Sequence, residues 1–304
     1  MRYRCTLMHW FKGLILSILL SPLPCMAAFE QITIVKSGDN SYFDQTIATL
    51  VNHVDPTTRF RIVMAQELNS DSIDPGMQNL LVALGQSAVE AIKGFDGRTN
   101  SINAYLTLEQ YNNLEIDHQV TVLLDQPLYR YLAFCKLMLG VDSIGLIEGS
   151  ETKPKSAEVN TLDEFSLTLN RYQVDPANKL LPVLRDLLQH NDSLLMLPQQ
   201  SIYNRNTVKG VLLTSYRSRK PVISYSPAHV KSGAVASIFS SPIDIGRHLA
   251  LLINQGVQNE PGTGSPFQFA RFYSITTNSR VAGALGISLP AEQILRSRLD
   301  KLGQ

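Results

Sequence analysis

The chain is short of cysteine, of closely spaced histidines and of any charge excess, and each shortage removes a class of function. Three cysteines occur in 304 residues, Cys5, Cys25 and Cys135. Cys135 lies in the amphipathic stretch Leu132-Ala133-Phe134-Cys135-Lys136-Leu137 and reads as a small core residue rather than a reactive thiol. The six histidines, His9, His53, His118, His190, His229 and His248, form no HxH or HExxH pair, so no metal site is expected. A nucleophile elbow, a phosphate-binding loop and a CxxC motif are also missing. Gly262-Thr263-Gly264 follows no strand and reads as a loop. No catalytic residue or cofactor is therefore expected, and the chain does not read as an enzyme. With 27 basic against 26 acidic residues it carries no electrostatic footprint for nucleic acid or an anionic membrane.

Long apolar runs are scarce too. Phe11 to Leu20 is interrupted by Lys12, Gly13 and Ser17, and at roughly ten residues it is half the length of a membrane-spanning helix. Behind the basic Arg2 and Arg4, and ahead of Cys25-Met26-Ala27-Ala28, it reads as a secretory signal peptide covering residues 1–27. Cys25 offers lipid anchoring as an alternative, but Pro22-Leu23-Pro24 suits that processing poorly. Cleavage after Ala27 is preferred, which predicts a periplasmic protein. Cys135 is then the sole remaining cysteine, so the fold must hold by its cores, without a disulfide.

What is present is an alternation of strands and helices. Strands are expected at Gln31–Val35, Phe60–Met64, Leu80–Leu84, Ser101–Leu106 and Val120–Leu124. Helices are expected at Ser41–His53 and Ala88–Lys93. After a helix at Leu128–Leu139 the rhythm restarts, with strands at Ser143–Ile147, Tyr172–Val174 and Ser193–Leu197. Helices are read at Leu162–Leu169 and Leu180–Leu188. Asn204 to Arg247 then reads as helix, strand, pocket-facing loop, strand and helix. Phe267–Thr277 is a β-prone run that can pass between lobes, and Asn278–Ala284 and Pro290–Leu302 read as helices. The fold class is α/β, with two doubly wound parallel-sheet lobes and a ligand crevice between them. The expected division places residues 28–125 and about 256–277 in the first lobe, and 126–255 and about 278–304 in the second.

Ligands of such sheets lie beyond the carboxyl ends of the strands. The polar residues at those ends are Ser37, Gln86, Ser87, Tyr105, Gln199, Ser201, Tyr225 and Ser226, which are the candidate ligand-binding residues. Ser87 stands where a hydroxyl and helix N-terminal amides can hold a carboxylate, or where it merely caps the helix. Tyr105 either stacks on a ligand ring or packs in the core.

Several of these stretches carry a resemblance. Leu213-Thr214-Ser215-Tyr216-Arg217, Pro221-Val222, Ser226-Pro227-Ala228, Val230-Lys231-Ser232-Gly233-Ala234 and Ser241-Pro242 with Ile245-Gly246-Arg247 resemble the ABC-transporter substrate-binding protein family that includes tryptophan and tyrosine binders. Asn278, Val281-Ala282, Leu285-Gly286-Ile287 and Leu289-Pro290 fit its closing motif, and Leu84-Gly85-Gln86-Ser87-Ala88 resembles its first-lobe turn. The resemblance implies a periplasmic-binding-protein type I fold whose lobes are joined by three crossovers, expected near Leu124–Gln126, Asn254–Gly256 and Thr276–Asn278. It also implies ligand contacts from Ser87 in the first lobe and from Tyr225 and Ser226 in the second. The stretch Ile102 to Glu109 departs from the family, lacking its Thr-Asp-Pro turn and so a carboxylate partner for an amino group.

The function implied is a monomeric periplasmic solute-binding component of an ABC importer, taking a small molecule and docking on an inner-membrane ABC permease. The alternative is a sensory or adaptor protein that signals to a membrane receptor such as a histidine kinase. A transcription regulator is disfavoured, because a secretion signal stands where DNA-binding helices would be needed.

Overall fold

Apolar strands with short polar connections assemble here into two sheets of six strands each. The computed structural model describes residues 29–69, 78–95, 99–116, 120–149, 165–174, 180–257 and 267–302. The expected signal peptide with Cys25, and the glycine-rich loop at 262–264, lie outside them.

The first sheet contains β1 (Gln31–Lys36), β2 (Arg59–Met64), β3 (Asn79–Leu84), β4 (Asn100–Leu106), β5 (Val120–Leu123) and β11 (Phe267–Phe269), in the order β11-β5-β4-β3-β1-β2. Every pairing in it is parallel. Both faces are covered, so β3 is apolar from Leu80 to Leu84 rather than alternating. Leu80, Val82 and Leu84 pack with Phe43, Ile47 and Leu50 of α1 (Ser41–Val51), whereas Leu81 and Ala83 pack with Ala88, Val89 and Ile92 of α2 (Gln86–Ile92). A short α3 (Leu108–Asn113) follows β4.

The second sheet contains β6 (Ser143–Gly149), β7 (Thr168–Val174), β8 (Ser193–Leu195), β9 (Val222–Ser224), β10 (Ala236–Phe239) and β12 (Ser274–Thr277), in the order β12-β10-β9-β8-β6-β7. Only β12 runs antiparallel. One face packs against α4 (Leu128–Leu139), α9 (Ser279–Ala284) and α10 (Glu292–Leu302). The other packs against α5 (Leu180–His190), α6 (Val208–Arg217) and α7 (Pro227–Ser232). Cys135 is fully buried in α4, and burial pushes its thiol pKa far up, as expected of a core residue. Thr168 and Leu169, read from the sequence as helical, instead extend β7, which pairs with β6 over seven residues. Tertiary pairing overrides the local pattern there.

The chain passes between the sheets three times. The first passage, at Leu124–Pro127 between β5 and α4, falls where the resemblance puts it. The other two differ from the expected positions. One lies at Ser240–Ser241, between β10 and α8 (Pro242–Asn254), rather than at Asn254–Gly256. The other lies at 270–273, between β11 and β12, rather than at Thr276–Asn278. The reason is packing. Ile245, Leu249, Leu252 and Ile253 of α8 join Phe43, Ile47 and Leu50 of α1 in the first core. Gly246 permits this close approach, since a Cβ there would lie 2.7 Å from both the Thr46 carbonyl oxygen and Thr49 Cβ. At the other boundary, β12 pairs with β10 from Ala236 opposite Thr277 to Phe239 opposite Ser274. Hence α8 packs with the first sheet and β12 joins the second, in place of the division drawn at 255 and 277.

Candidate functional site

Parallel sheets direct the carboxyl ends of their strands to one rim, and most of the polar candidates lie there, several already engaged locally. The Ser37 hydroxyl, just after β1, accepts a hydrogen bond from the Ala88 N–H at 2.9 Å. Gly85 makes this reach feasible: its φ is 90°, and a Cβ would meet Ser37 Oγ at 2.7 Å. Ser37 thus caps α2 from a distance. Gln86 is exposed and bonded to Glu90 and Gln110. Ser87 is exposed in the first turn of α2. Tyr105 has a left-handed backbone, φ 64°, at the irregularity between Ala104 and Leu106. Its ring packs edge-on against Phe43, and its hydroxyl meets Thr46 and the Tyr42 carbonyl. Tyr105 thus packs, partly buried, against the first core.

On the second lobe the Gln199 side chain accepts from the Gly149 N–H at 3.0 Å, tying the end of β6 to the loop after β8. The Ser226 hydroxyl caps α7 by accepting from the Ala228 N–H. Tyr225 stands at the end of β9, half-buried, its ring edge-on to His229 and its hydroxyl directed at the Tyr203 carbonyl. His229 in turn contacts the Ser224 hydroxyl at 2.7 Å, and burial lowers its pKa. Tyr225 is therefore supported edge-on by an imidazole whose charged form burial disfavours.

The two lobes meet at Glu109, Gln200 and Ser201. Glu109, in the first turn of α3, accepts from the Gln200 N–H at 2.9 Å and from the Ser201 hydroxyl at 3.1 Å. Ser201 is thus the one sequence candidate hydrogen-bonded across the lobes among the described residues. Asp125, 8% exposed in the first crossover, accepts from the Leu108 N–H at 2.8 Å and so fixes the start of the same α3. Burial, then Asp125 and then Glu109 push the Tyr225 phenol up to about 12. Burial raises Tyr131 far above the ordinary range, with Asp125 and Tyr225 adding to it. Tyr203 is 1% exposed, its hydroxyl has no hydrogen-bond partner, and burial together with Tyr225 and Glu148 raises its pKa. Glu148, at the carboxyl end of β6, is 2% exposed and paired with Arg171 of β7. Tyr225 is accordingly the centre of a cluster of phenols and carboxylates drawn from both lobes.

Signals for these residues were in the sequence. Thr107 and Gln110 form a capping box, with Gln110 N–H bonded to Thr107 Oγ1 and Thr107 N–H to Gln110 Oε1. That spacing announces a helix start at Leu108 and places Glu109 in its first turn. Asp125 follows and Glu148 nearly ends a mostly apolar strand, positions from which a charge must face a crevice or a partner.

A separate cavity of about 450 Å³ lies against the second and third crossovers, lined among others by Asp244, Arg247, Arg271, Tyr273, Arg296 and Asp300. Its acids are held internally: the Ser241 and Ser274 hydroxyls donate to Asp244, and the Tyr273 hydroxyl donates to Asp300. Arg130 and Arg296 both stand over the Tyr273 ring. Among the described residues no cluster of His, Cys, Asp and Glu could hold a metal ion, and no helix is long and apolar enough to cross a membrane.

Neither a protein-family model nor a curated protein sequence matches the chain. Solved structures do. An ABC domain from Streptococcus pneumonia in complex with L-Trp is 17% identical, with 88% of this chain and 98% of that one covered at a TM-score of 0.52. The ligand-free, open structure of CD0873, a substrate binding protein with adhesive properties from Clostridium difficile, is 14% identical over 87% and 97% at a TM-score of 0.62. A conserved domain protein from Vibrio cholerae is 14% identical over 89% and 98% at a TM-score of 0.53. The chain has the two-lobed fold of the type I periplasmic binding proteins.

Proposed function

We propose that this two-lobed chain is a periplasmic solute-binding protein. It encloses a small organic molecule between its lobes and presents the closed form to the permease of an ABC importer in the inner membrane. The observation that carries the reading is the Glu109 clasp onto Gln200 and Ser201, behind which Asp125, Tyr131, Tyr203 and Tyr225 gather at the carboxyl ends of both sheets. A molecule seated there would touch both lobes and so favour closure, because a ligand shifts such an equilibrium by its differential affinity for the two states. The L-Trp complex of a similarly folded ABC domain supports a small-molecule role. No reaction is proposed, and the chain acts as a monomer.

The test is a thermal-shift screen of a broad metabolite panel, paired with native mass spectrometry of protein recovered from periplasmic extract. A true ligand at 100 times its dissociation constant stabilises the fold by about 2.7 kcal/mol. A panel without any shift, together with a spectrum of bare protein, would overturn solute binding. Co-purification with a sensor kinase and no permease would overturn the transport role. Recovery of the protein from cytosol alone would overturn the location.

A further inference from the structure

The three crossovers are tied to one another. Gln126, in the first, donates to Ser240 Oγ in the second at 2.6 Å and accepts from Arg130, which also donates to the Ala270 carbonyl at the start of the third. Asp244, in the first turn of α8, accepts from the hydroxyls of Ser241 and Ser274, and the Arg271 N–H donates to His248 of the same helix. A displacement of one crossover is therefore passed to the others.

The cavity of about 450 Å³ beside this network takes its walls from both lobes. Arg247 stands on α8, which packs in the first core, and Arg296 and Asp300 stand on α10, which packs on the second sheet. Arg271 lies in the third crossover between them. Neither the Glu109 clasp nor Tyr225 lines this cavity. Its charged walls are three arginines and two carboxylates, and the carboxylates are engaged with hydroxyls rather than with arginine. Asp244 Oδ2 accepts from the Ser241 N–H and from two hydroxyls, and Asp300 accepts from the Tyr273 hydroxyl at 2.6 Å. Arg296 is paired with Glu292 at 2.8 Å and, like Arg130, stands over the Tyr273 ring. That leaves Arg247 and Arg271. Both are exposed, and among the described residues no ion pair or side-chain hydrogen bond engages either guanidinium.

Two guanidinium groups lining one cavity without a paired carboxylate repel each other. An oxyanion of two or more charges relieves that repulsion and matches the planar donor forks two oxygens at a time. An ammonium ion would add to the repulsion, and a neutral molecule would leave it in place. The volume lies within the range of about 300–1,000 Å³ typical of small-molecule sites.

We infer that this cavity is a second binding site, separate from the cleft, for a compact multivalent oxyanion held by Arg247 and Arg271, and that its occupancy biases the angle between the lobes. The walls belong to elements of different lobes, so the anion's affinity depends on how far the lobes have closed, and binding must shift that equilibrium in return. The effect on the lobes rests on the two-state closure proposed above, whereas the binding itself does not.

The experiment titrates the full protein with pyrophosphate, inorganic phosphate, citrate and acetate at constant ionic strength, followed by calorimetry. Pyrophosphate or citrate is expected to bind at least about tenfold more tightly than acetate, the tighter of the two separating a phosphorylated from a polycarboxylate ligand. Arg247→Gln and Arg271→Gln are each expected to weaken that probe by about tenfold. Arg185→Gln, exposed on α5 at the opposite face of the second sheet from α10, is expected to leave it unchanged. Circular dichroism checks that the variants fold. A fluorophore pair spanning the lobes is expected to report a changed separation when the probe saturates the parent, and none in the double arginine variant. Multivalent probes that bind no better than acetate overturn the site. So does affinity that survives both arginine variants, or that falls equally in Arg185→Gln. Saturation without any change in lobe separation overturns the effect on the hinge. A metabolite panel that fails while the anion binds here overturns solute binding alone, and the converse result overturns this site alone.

Discussion

Glu109 of the first lobe and Ser201 of the second are joined by a 3.1 Å hydrogen bond, which the Gln200 N–H reinforces at 2.9 Å. This clasp closes one edge of the cleft. Hydrogen bonds to a charged acceptor contribute about 1.5–3 kcal/mol, and less where water competes. Glu109→Ala is therefore expected to shift the closed-to-open ratio by about five- to tenfold, roughly 1 kcal/mol or slightly more. Small-angle scattering or a fluorophore pair spanning the lobes measures the shift. An inter-lobe distance unchanged from the parent would show that the clasp does not hold the lobes together.

The pairing of Glu148 with Arg171 leads to a second expectation. Glu148 is almost wholly buried, so removing its partner strands a charge. Arg171→Leu is expected to cost about 3 kcal/mol or more, whereas Glu148→Leu combined with Arg171→Leu costs much less. Urea unfolding of both variants decides the matter, and equal losses would refute it.

His248 gives the chain a pH dependence. It is buried in α8, its Nδ1 accepts from the Arg271 N–H, and the proton of the neutral ring therefore sits on Nε2. Burial first, with the Arg271 charge opposing protonation and Gln268 favouring it, lowers its pKa to about 4. The unfolded histidine, near pKa 6.5, binds a proton that the folded one refuses. Its contribution is thus complete above about pH 6.5 and is lost as pH falls towards 4, by up to about 3 kcal/mol. His248→Gln is expected to flatten the stability profile between those values. An unaltered acid limb in chemical denaturation would count against it.

Two glycines make opposite predictions. Gly246→Ala forces a Cβ against the Thr46 backbone oxygen, and is expected to destabilise by about 1–3 kcal/mol as α8 moves off α1. Gly283 in α9 has open space around its Cβ position. Gly283→Ala is expected to stabilise by about 0.5–1 kcal/mol through helix propensity and the unfolded chain's lost freedom. Melting temperatures moving in the same direction would contradict the packing described for α8.

Much of the cleft was legible at the level of segments, less so at the level of side chains. Strand ends were locatable, and Ser37, Gln199, Tyr225 and Ser226 do lie on them. Their hydroxyls and amides had local uses, in caps and strand ties, that a list of polar residues does not reveal. Glu109 sits in the first turn of a helix of six residues, whose capping box is its main local signal. Nothing in the local pattern marks Asp125 and Glu148 as buried, and burial is what gives them consequence.

The alternation of apolar-rich strands with amphipathic helices determined the α/β class, the two sheets and most of the elements. That is local information, since periodicity and turn chemistry reside in neighbouring residues. The tertiary structure alone decided which sheet each late segment joins. An apolar helix face states that it must be covered but does not name its cover, and the packing of Ile245, Leu249, Leu252 and Ile253 against α1, which Gly246 lets come close, places α8 in the first core. The same holds for the clasp. Glu109 and Ser201 are 92 residues apart, and no sequence pattern links them until the crossovers bring the two lobes face to face.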